Sequence, residues 1–175
     1  MNKKLFINLF KGHNKNITRK LVSGFTLIEV IVASSIISMC MFALMQSAQK
    51  GINLSGVALE KSQASLLLEE GAEAIKSIRD DNWTTISNLN NQPYYLFFNT
   101  NTKKWELNNI ASTIDGIFTR TVIFSDVERD SNYDIVESGG TVYSGTKKVL
   151  VDVSWVSGDS SISRNLSFYI SDIFN

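Results

Sequence analysis

The chain predicts an α+β fold in which the outer half of one long N-terminal helix packs on a small antiparallel sheet. Three observations predict it. A basic segment gives way at Gly24-Phe25 to an apolar run in which Glu29 is the sole charge before Lys50. A helical apolar stripe continues past that run. Period-two strands separated by turn residues then close the chain.

Phe25 to about Ala48 makes a helix of roughly 36 Å, enough to cross a hydrocarbon core. Residues 1–24 carry Lys3, Lys4, Lys11, Lys15, Arg19 and Lys20 and no acid. A basic flank before an apolar span predicts a cytoplasmic N-terminus, with the remainder crossing. With those six set aside, the chain from Phe25 onward carries a net −6, which gives no support for nucleic-acid binding. A carboxylate inside such a span costs on the order of a few kcal/mol, so Glu29 is a functional-site candidate. Ala33, Ser34, Ser35, Ser38 and Ala43 allow close helix approach in lipid, or are ordinary membrane-helix composition. Cys40, the single cysteine, lies in the span, so no internal disulfide holds the remainder together.

Leu54, Val57, Lys61, Ala64, Leu68, Gly71, Ile75 and Ile78 recur at spacings of three and four, with Lys61 and Gly71 interrupting the apolar stripe. Glu60, Gln63, Glu70, Glu73 and Lys76 fall opposite. One helix from Phe25 to about Arg79 follows, roughly 80 Å long and loosened, if anywhere, near Gly51 or Gly56. Asp80-Asp81-Asn82 ends it, since acids in a last turn oppose the helix dipole. Trp83 is read as packing at the helix–sheet junction.

Three to five strands are expected. Tyr94-Tyr95-Leu96-Phe97-Phe98 and Trp105-Glu106-Leu107 are short ones. Phe118 to Asp126 alternates Phe118, Val122 and Phe124 against Thr119, Thr121 and Ile123. Val149, Val151, Val153 and Trp155 sit at period two, as do Ile162, Arg164, Leu166, Phe168 and Ile170. Gly139-Gly140, Ser144-Gly145 and Ser157-Gly158-Asp159-Ser160 are the turn signals. Short connections argue for antiparallel pairing. The divisions are 1–24 (leader), 25–48 (membrane half of the helix), 49–82 (amphipathic half) and 83–175 (β head).

Gly24-Phe25-Thr26-Leu27-Ile28-Glu29, with its basic leader and the apolar run from Val30 to Ile37, resembles the prepilin signal of type IV pilins and type II secretion pseudopilins. The resemblance covers residues 1 to about 50. It implies a lollipop-shaped, pilin-like architecture and cleavage by prepilin peptidase between Gly24 and Phe25. Phe25 would become the N-methylated terminus, and Glu29 would pair with the terminal amine of a neighbouring subunit during assembly. The implied partners are prepilin peptidase, other pilin or pseudopilin subunits, an inner-membrane assembly platform, and lipid before assembly. The implied location is a single pass through the cytoplasmic membrane with the head outside, then a pilus or pseudopilus at the cell surface. Many major pilins carry a proline near the position of Met45 and Gln46. None stands here, which favours a minor pilin or pseudopilin.

Two rival readings of the N-terminus are an ordinary signal peptide and an uncleaved signal anchor. The first is disfavoured because Gly24 precedes the apolar core, where a signal-peptidase site would follow it. A single-pass anchored binding protein or adhesin that forms no filament is the alternative from another class. It has no need of Gly24-Phe25 or Glu29. Tyr94, Tyr95 and Tyr143 are aromatics such a surface would use.

An enzyme is not expected. The only histidine, His13, falls in the leader, so cleavage leaves no histidine for acid–base chemistry or a metal site. Gly140 to Lys147 imitates a phosphate loop, but with Thr and Lys reversed and a strand following. It is read as a hairpin turn. Asp126, Glu128, Asp130, Asn132 and Asp134 alternate along one segment and are the only candidate ligands, for calcium. Arg129 and Tyr133 interleave, and no Glu closes a twelve-residue loop, so a solvated acidic turn is the favoured reading and no cofactor is expected.

Overall fold

A computed structural model describes residues 24–173; residues 1–23 of the expected leader, His13 among them, lie outside the described residues. Two compact units divide between Ala48 and Gln49. Among the described residues the elements are, in order, α1 (Leu27–Asp81), α2 (Trp83–Ser87), β1 (Pro93–Asn99), β2 (Lys104–Asn108), β3 (Thr113–Ile114), β4 (Phe118–Arg129), β5 (Ile135–Val136), β6 (Thr141–Ser157) and β7 (Ser160–Ser171).

The first unit holds the membrane-length part of α1. Every described residue here is exposed, and the stretch is long and apolar enough to cross a membrane. Its serines satisfy themselves within the helix. Ser34, Ser35 and Ser38 donate to the carbonyls of Ile31, Val32 and Ser34 at 2.8–2.9 Å. Hydroxyls bonded in this way spare the helix unsatisfied donors, which hydrocarbon would penalise. α1 starts at Leu27 rather than Phe25, because Thr26 caps it, and it runs unbroken through Gly51 and Gly56.

In the second unit, the outer part of α1 lies against one face of a sheet ordered β2-β1-β4-β6-β7, with β3 and β5 pairing with β4 and every pairing antiparallel. Seven strands therefore form where three to five were expected. The two extra ones are two-residue strands without a periodicity of their own. Ala64, Leu68, Ile75 and Ile78 meet Phe118, Val122 and Phe124 of β4 and Val149, Val151, Val153 and Trp155 of β6. Gly71 allows the close approach: a Cβ there would stand 3.0 Å from Val151 Cγ1. Burial of this kind supplies most of the helix's stability in this unit, at about 25 cal/mol per Å² of apolar surface.

The buried stripe is shorter than its sequence pattern. Leu54 and Lys61 are exposed and Val57 is half-buried. Trp155, near the end of β6, reaches the helix only at Glu60, where its Nε1 donates to Oε2 at 3.1 Å. The sheet stops there, and beyond it Leu54 is exposed and Val57 only half-buried.

α1 extends to Asp81 and ends where Asn82 turns to extended backbone (φ −163°). The Asn82 carboxamide oxygen then accepts from the Thr84 amide at 3.0 Å and caps α2, a helix without an apolar period of its own in the sequence. α2 buries Ile86, and Trp83 packs against the core at the junction, as the sequence indicated.

Two turn assignments are corrected. Ser144-Gly145 lies inside β6, where the absent Cβ leaves room for the Tyr143 ring, 2.8 Å from where it would stand. Gly140–Lys147 is accordingly almost all strand rather than turn. The reversal lies at Gly139 (φ 84°) and Gly140, whose own Cβ would collide with the Arg129 carbonyl oxygen at 2.6 Å. β4 continues past Asp126 to Arg129 through a bulge between Asp126 and Glu128. That irregularity breaks the alternation, and Val127 within it is buried.

Candidate processing and assembly site

Gly24, Phe25 and Thr26 precede α1 in non-helical backbone, and all three are exposed. Nothing lies within 4 Å of a Cβ built at Gly24. The Gly24–Phe25 peptide is thus open on every side within the described residues. An enzyme that cleaves a peptide needs it outside helical hydrogen bonding, and this one is.

Thr26 is the N-cap. Its carbonyl accepts from the amides of Glu29 (3.1 Å) and Val30 (3.2 Å), and its hydroxyl accepts from the Glu29 amide at 3.4 Å. Thr26-Leu27-Ile28-Glu29 is a capping-box sequence, a signal present in the chain and missed in the reading above. Glu29 sits in the first turn, at the positive end of the helix dipole. Its side chain makes no ion pair among the described residues. The arrangement offers one anionic group, exposed beside an exposed chain segment, to a cation supplied from elsewhere.

The acidic segment at 126–134 is already engaged internally. Asp126 Oδ1 accepts from Lys147 Nζ at 2.7 Å, and Glu128 Oε2 from the Gly140 amide at 3.0 Å. Asp130 Oδ1 accepts from the amides of Asn132 (2.8 Å) and Asp134 (3.0 Å), which shapes the turn. Among the described residues, no three carboxylate, histidine or cysteine groups converge as a metal site. The alternation that drew these residues together breaks because Asp126 and Glu128 flank the bulge and only 130–134 form a loop.

Two buried cations escaped the sequence reading. Arg120 occupies the inward position between Phe118 and Val122, and Lys147 the one before Val149. Arg120 Nη1 meets Glu70 Oε2 at 2.7 Å and the Leu67 carbonyl at 3.0 Å, with its guanidinium over the Trp105 ring. Lys147 Nζ bonds Asp126 and the Leu89 carbonyl (3.0 Å). The available signal was a charge at an inward position of an alternating strand, which requires a partner when buried.

Residues 19–45 match the family model described as the prokaryotic N-terminal methylation motif. No curated protein and no solved structure gives a significant match to this chain. The motif match indicates a type IV pilin-like prepilin signal, and the long apolar helix beginning at Leu27 fits it.

Proposed function

From the prepilin signal at residues 19–45, we propose that the chain is a structural subunit, a minor type IV pilin or a secretion pseudopilin. Prepilin peptidase cuts between Gly24 and Phe25 and methylates the Phe25 amine. The subunit waits in the cytoplasmic membrane with its head outside, an assembly platform extracts it, and it joins related subunits in a pilus or pseudopilus at the cell surface. Glu29 neutralises the Phe25 amine of an adjacent subunit. In a low-dielectric core that pair matters most when one partner is missing, because an unpaired buried charge costs about 3–5 kcal/mol.

The observation that carries this reading is the motif match over residues 19–45, a span that includes Gly24, Phe25 and Glu29. The open, non-helical Gly24–Phe25 peptide supports it. The test is the mature N-terminus, read by mass spectrometry from cells with and without prepilin peptidase. A chain starting at methylated Phe25, and only when the peptidase is present, is the expected result. An intact Met1 beside an active peptidase would leave an anchored binding protein as the better account.

A further inference from the structure

Arg120 and Lys147, the buried cations described above, each have a carboxylate partner. Arg129, half-buried at the end of β4, makes no ion pair among the described residues. β4 holds it between Ile135 of β5 and Thr141 of β6. Its contacts are neutral. Nη1 donates to the Tyr133 carbonyl and Nη2 to Thr146 Oγ1 at 3.1 Å, and the guanidinium lies over the Tyr143 ring, 5.1 Å from the centroid. Nε is buried without a hydrogen-bond partner. A partly desolvated charge without a counter-charge favours an incoming anion. Each Nη carries two N–H groups, and these bonds use one of each, so both can still meet a planar carboxylate.

Arg129 opens on a cleft of about 700 Å³ between the 130–134 loop and the start of β6. That volume lies within the range of small-molecule sites. Tyr133 and Tyr143 line it and are 73% and 45% exposed, while Gly139 and Gly140 leave one rim without side chains. Tyr133 is held in the left-handed region (φ 68°). Its amide donates to the Asp130 carbonyl at 3.1 Å, and the Asp130 amide to the Asp134 carbonyl at 3.0 Å. Glycine or asparagine is the usual occupant of such a position, and a bulky ring there is an outlier. So exposed a ring gains little from packing, and backbone strain of this kind collects at ligand sites.

The lining selects the chemistry of the occupant. Asp130 is the one acid among the lining residues; its Oδ1 is engaged by the Asn132 and Asp134 amides, and it forms no pair with Arg129. Its charge disfavours a dianion such as a phosphate monoester and leaves room for one carboxylate. Val142 is the one aliphatic side chain in the lining, which argues against a lipid or an apolar peptide. Two phenol rings beside the hydroxyls of Ser131 and Thr141 match a molecule with C–H faces and hydroxyl edges.

We propose that this cleft binds a saccharide bearing a carboxylate, of the uronic or sialic acid kind. The carboxylate meets Arg129 and the sugar ring lies against Tyr133 and Tyr143. The proposal goes beyond the structural-subunit reading and does not depend on it.

The test is saturation-transfer NMR on the detergent-solubilised full chain with trigalacturonate and with sialyllactose, each beside its carboxyl methyl ester. At least one acid is expected to receive saturation, with its ester about tenfold weaker, the loss expected for one charge-assisted pair. Arg129→Lys keeps the charge without the fork and is expected to weaken the acid by about the same factor. Tyr133→Gly relieves the left-handed backbone. It is expected to leave the melting temperature unchanged or higher while weakening binding at least about fivefold, a combination that a purely structural tyrosine does not give. Equal binding of acid and ester would overturn the proposal, as would the absence of saturation of either acid. Full binding by both the Arg129→Lys and the Tyr133→Gly chains would overturn it by placing the saccharide elsewhere. None of these outcomes bears on whether the mature chain starts at Phe25 or Met1, so failure here is distinct from failure of the proposed function.

Discussion

Arg120 and Glu70 fasten β4 to α1: Nη1 lies 2.7 Å from Oε2, with the arginine side chain 3% exposed and the glutamate 48%. The pair is asymmetric. Glu70 is half in water and loses little without its partner, whereas Arg120 is enclosed by Leu67, Trp105 and the Gly71 turn, and its Nε has no hydrogen-bond partner.

Removing the acid is therefore expected to be worse than removing the base together with its charge. Glu70→Ala leaves a buried guanidinium short of its counter-charge, at a cost of about 1–3 kcal/mol after allowance for the solvent around Glu70. Arg120→Met keeps most of the packing volume and is expected to cost less. Urea unfolding of the detergent-solubilised chain, followed by tryptophan fluorescence, ranks the two variants. The reverse order would contradict this account of the pair.

Two glycines in α1 are expected to respond to alanine with opposite signs. At Gly56 nothing stands within 4 Å of an added Cβ, so Gly56→Ala gains about 0.5–1 kcal/mol of helix propensity. At Gly71 the same Cβ meets Val151 Cγ1 at 3.0 Å and Arg120 Cδ at 3.1 Å, both inside the core. Overpacking of about 1–3 kcal/mol outweighs the propensity gain there. Melting temperatures of the two single variants decide the matter.

Asp152, half-buried on the outer face of β6, has its carboxyl raised above the usual value of 3.8, first by burial, with the Ser163 hydrogen bond pulling the other way. A raised folded-state pKa means that its contribution to stability is fully present below the unfolded value and is lost as pH rises through the folded one. Asp152→Asn is thus expected to stabilise the protein at neutral pH. The gain should shrink as the pH falls into and below the ordinary carboxylate range. A difference between variant and parent that stays constant from pH 7 to pH 3 would rule out titration of this group as the cause.

At the N-terminus, cleavage and assembly are expected to separate. Glu29→Val keeps Gly24-Phe25 and Thr26 in place, so the mature chain should still start at Phe25, while incorporation into filaments should fall to background. Glu29→Gln keeps a hydrogen-bonding side chain at the capping-box position without the charge. It should fail in the same way if charge is what matters. Pilus or pseudopilus fractions probed for this subunit give the readout, and normal incorporation of either variant would contradict the proposed role of Glu29.

Much of this architecture was legible because it is written in short-range pattern. The continuous helix, the alternation of Phe118, Val122 and Phe124, and the run Val149 to Trp155 are periodicities, and each formed where its period ran. The prepilin-like signal was legible for a different reason: it is a contiguous local string, matched as such over residues 19–45. Partner-dependent features were not legible. Leu54 and Val57 continue the stripe that Ala64 and Leu68 bury, yet only the reach of β6 to Glu60 decides which pair is covered. The acidic alternation from Asp126 to Asp134 looked like one ligand set until the bulge and the engagements of Lys147 and Gly140 divided it.

By itself, the sequence determined the α+β class, the position of the helix, the main strands and the prepilin-like signal matched over residues 19–45. Hydrophobic period and local motif need no distant partner to be recognised. Only the tertiary structure decided that Arg120 and Lys147 belong inside, that the helix is covered from Ala64 rather than from Leu54, and that β7 is left as an open edge. Each of these depends on which strand lies next to which, and strand order across a sheet is set by contacts between residues tens of positions apart, for which no local period leaves a trace.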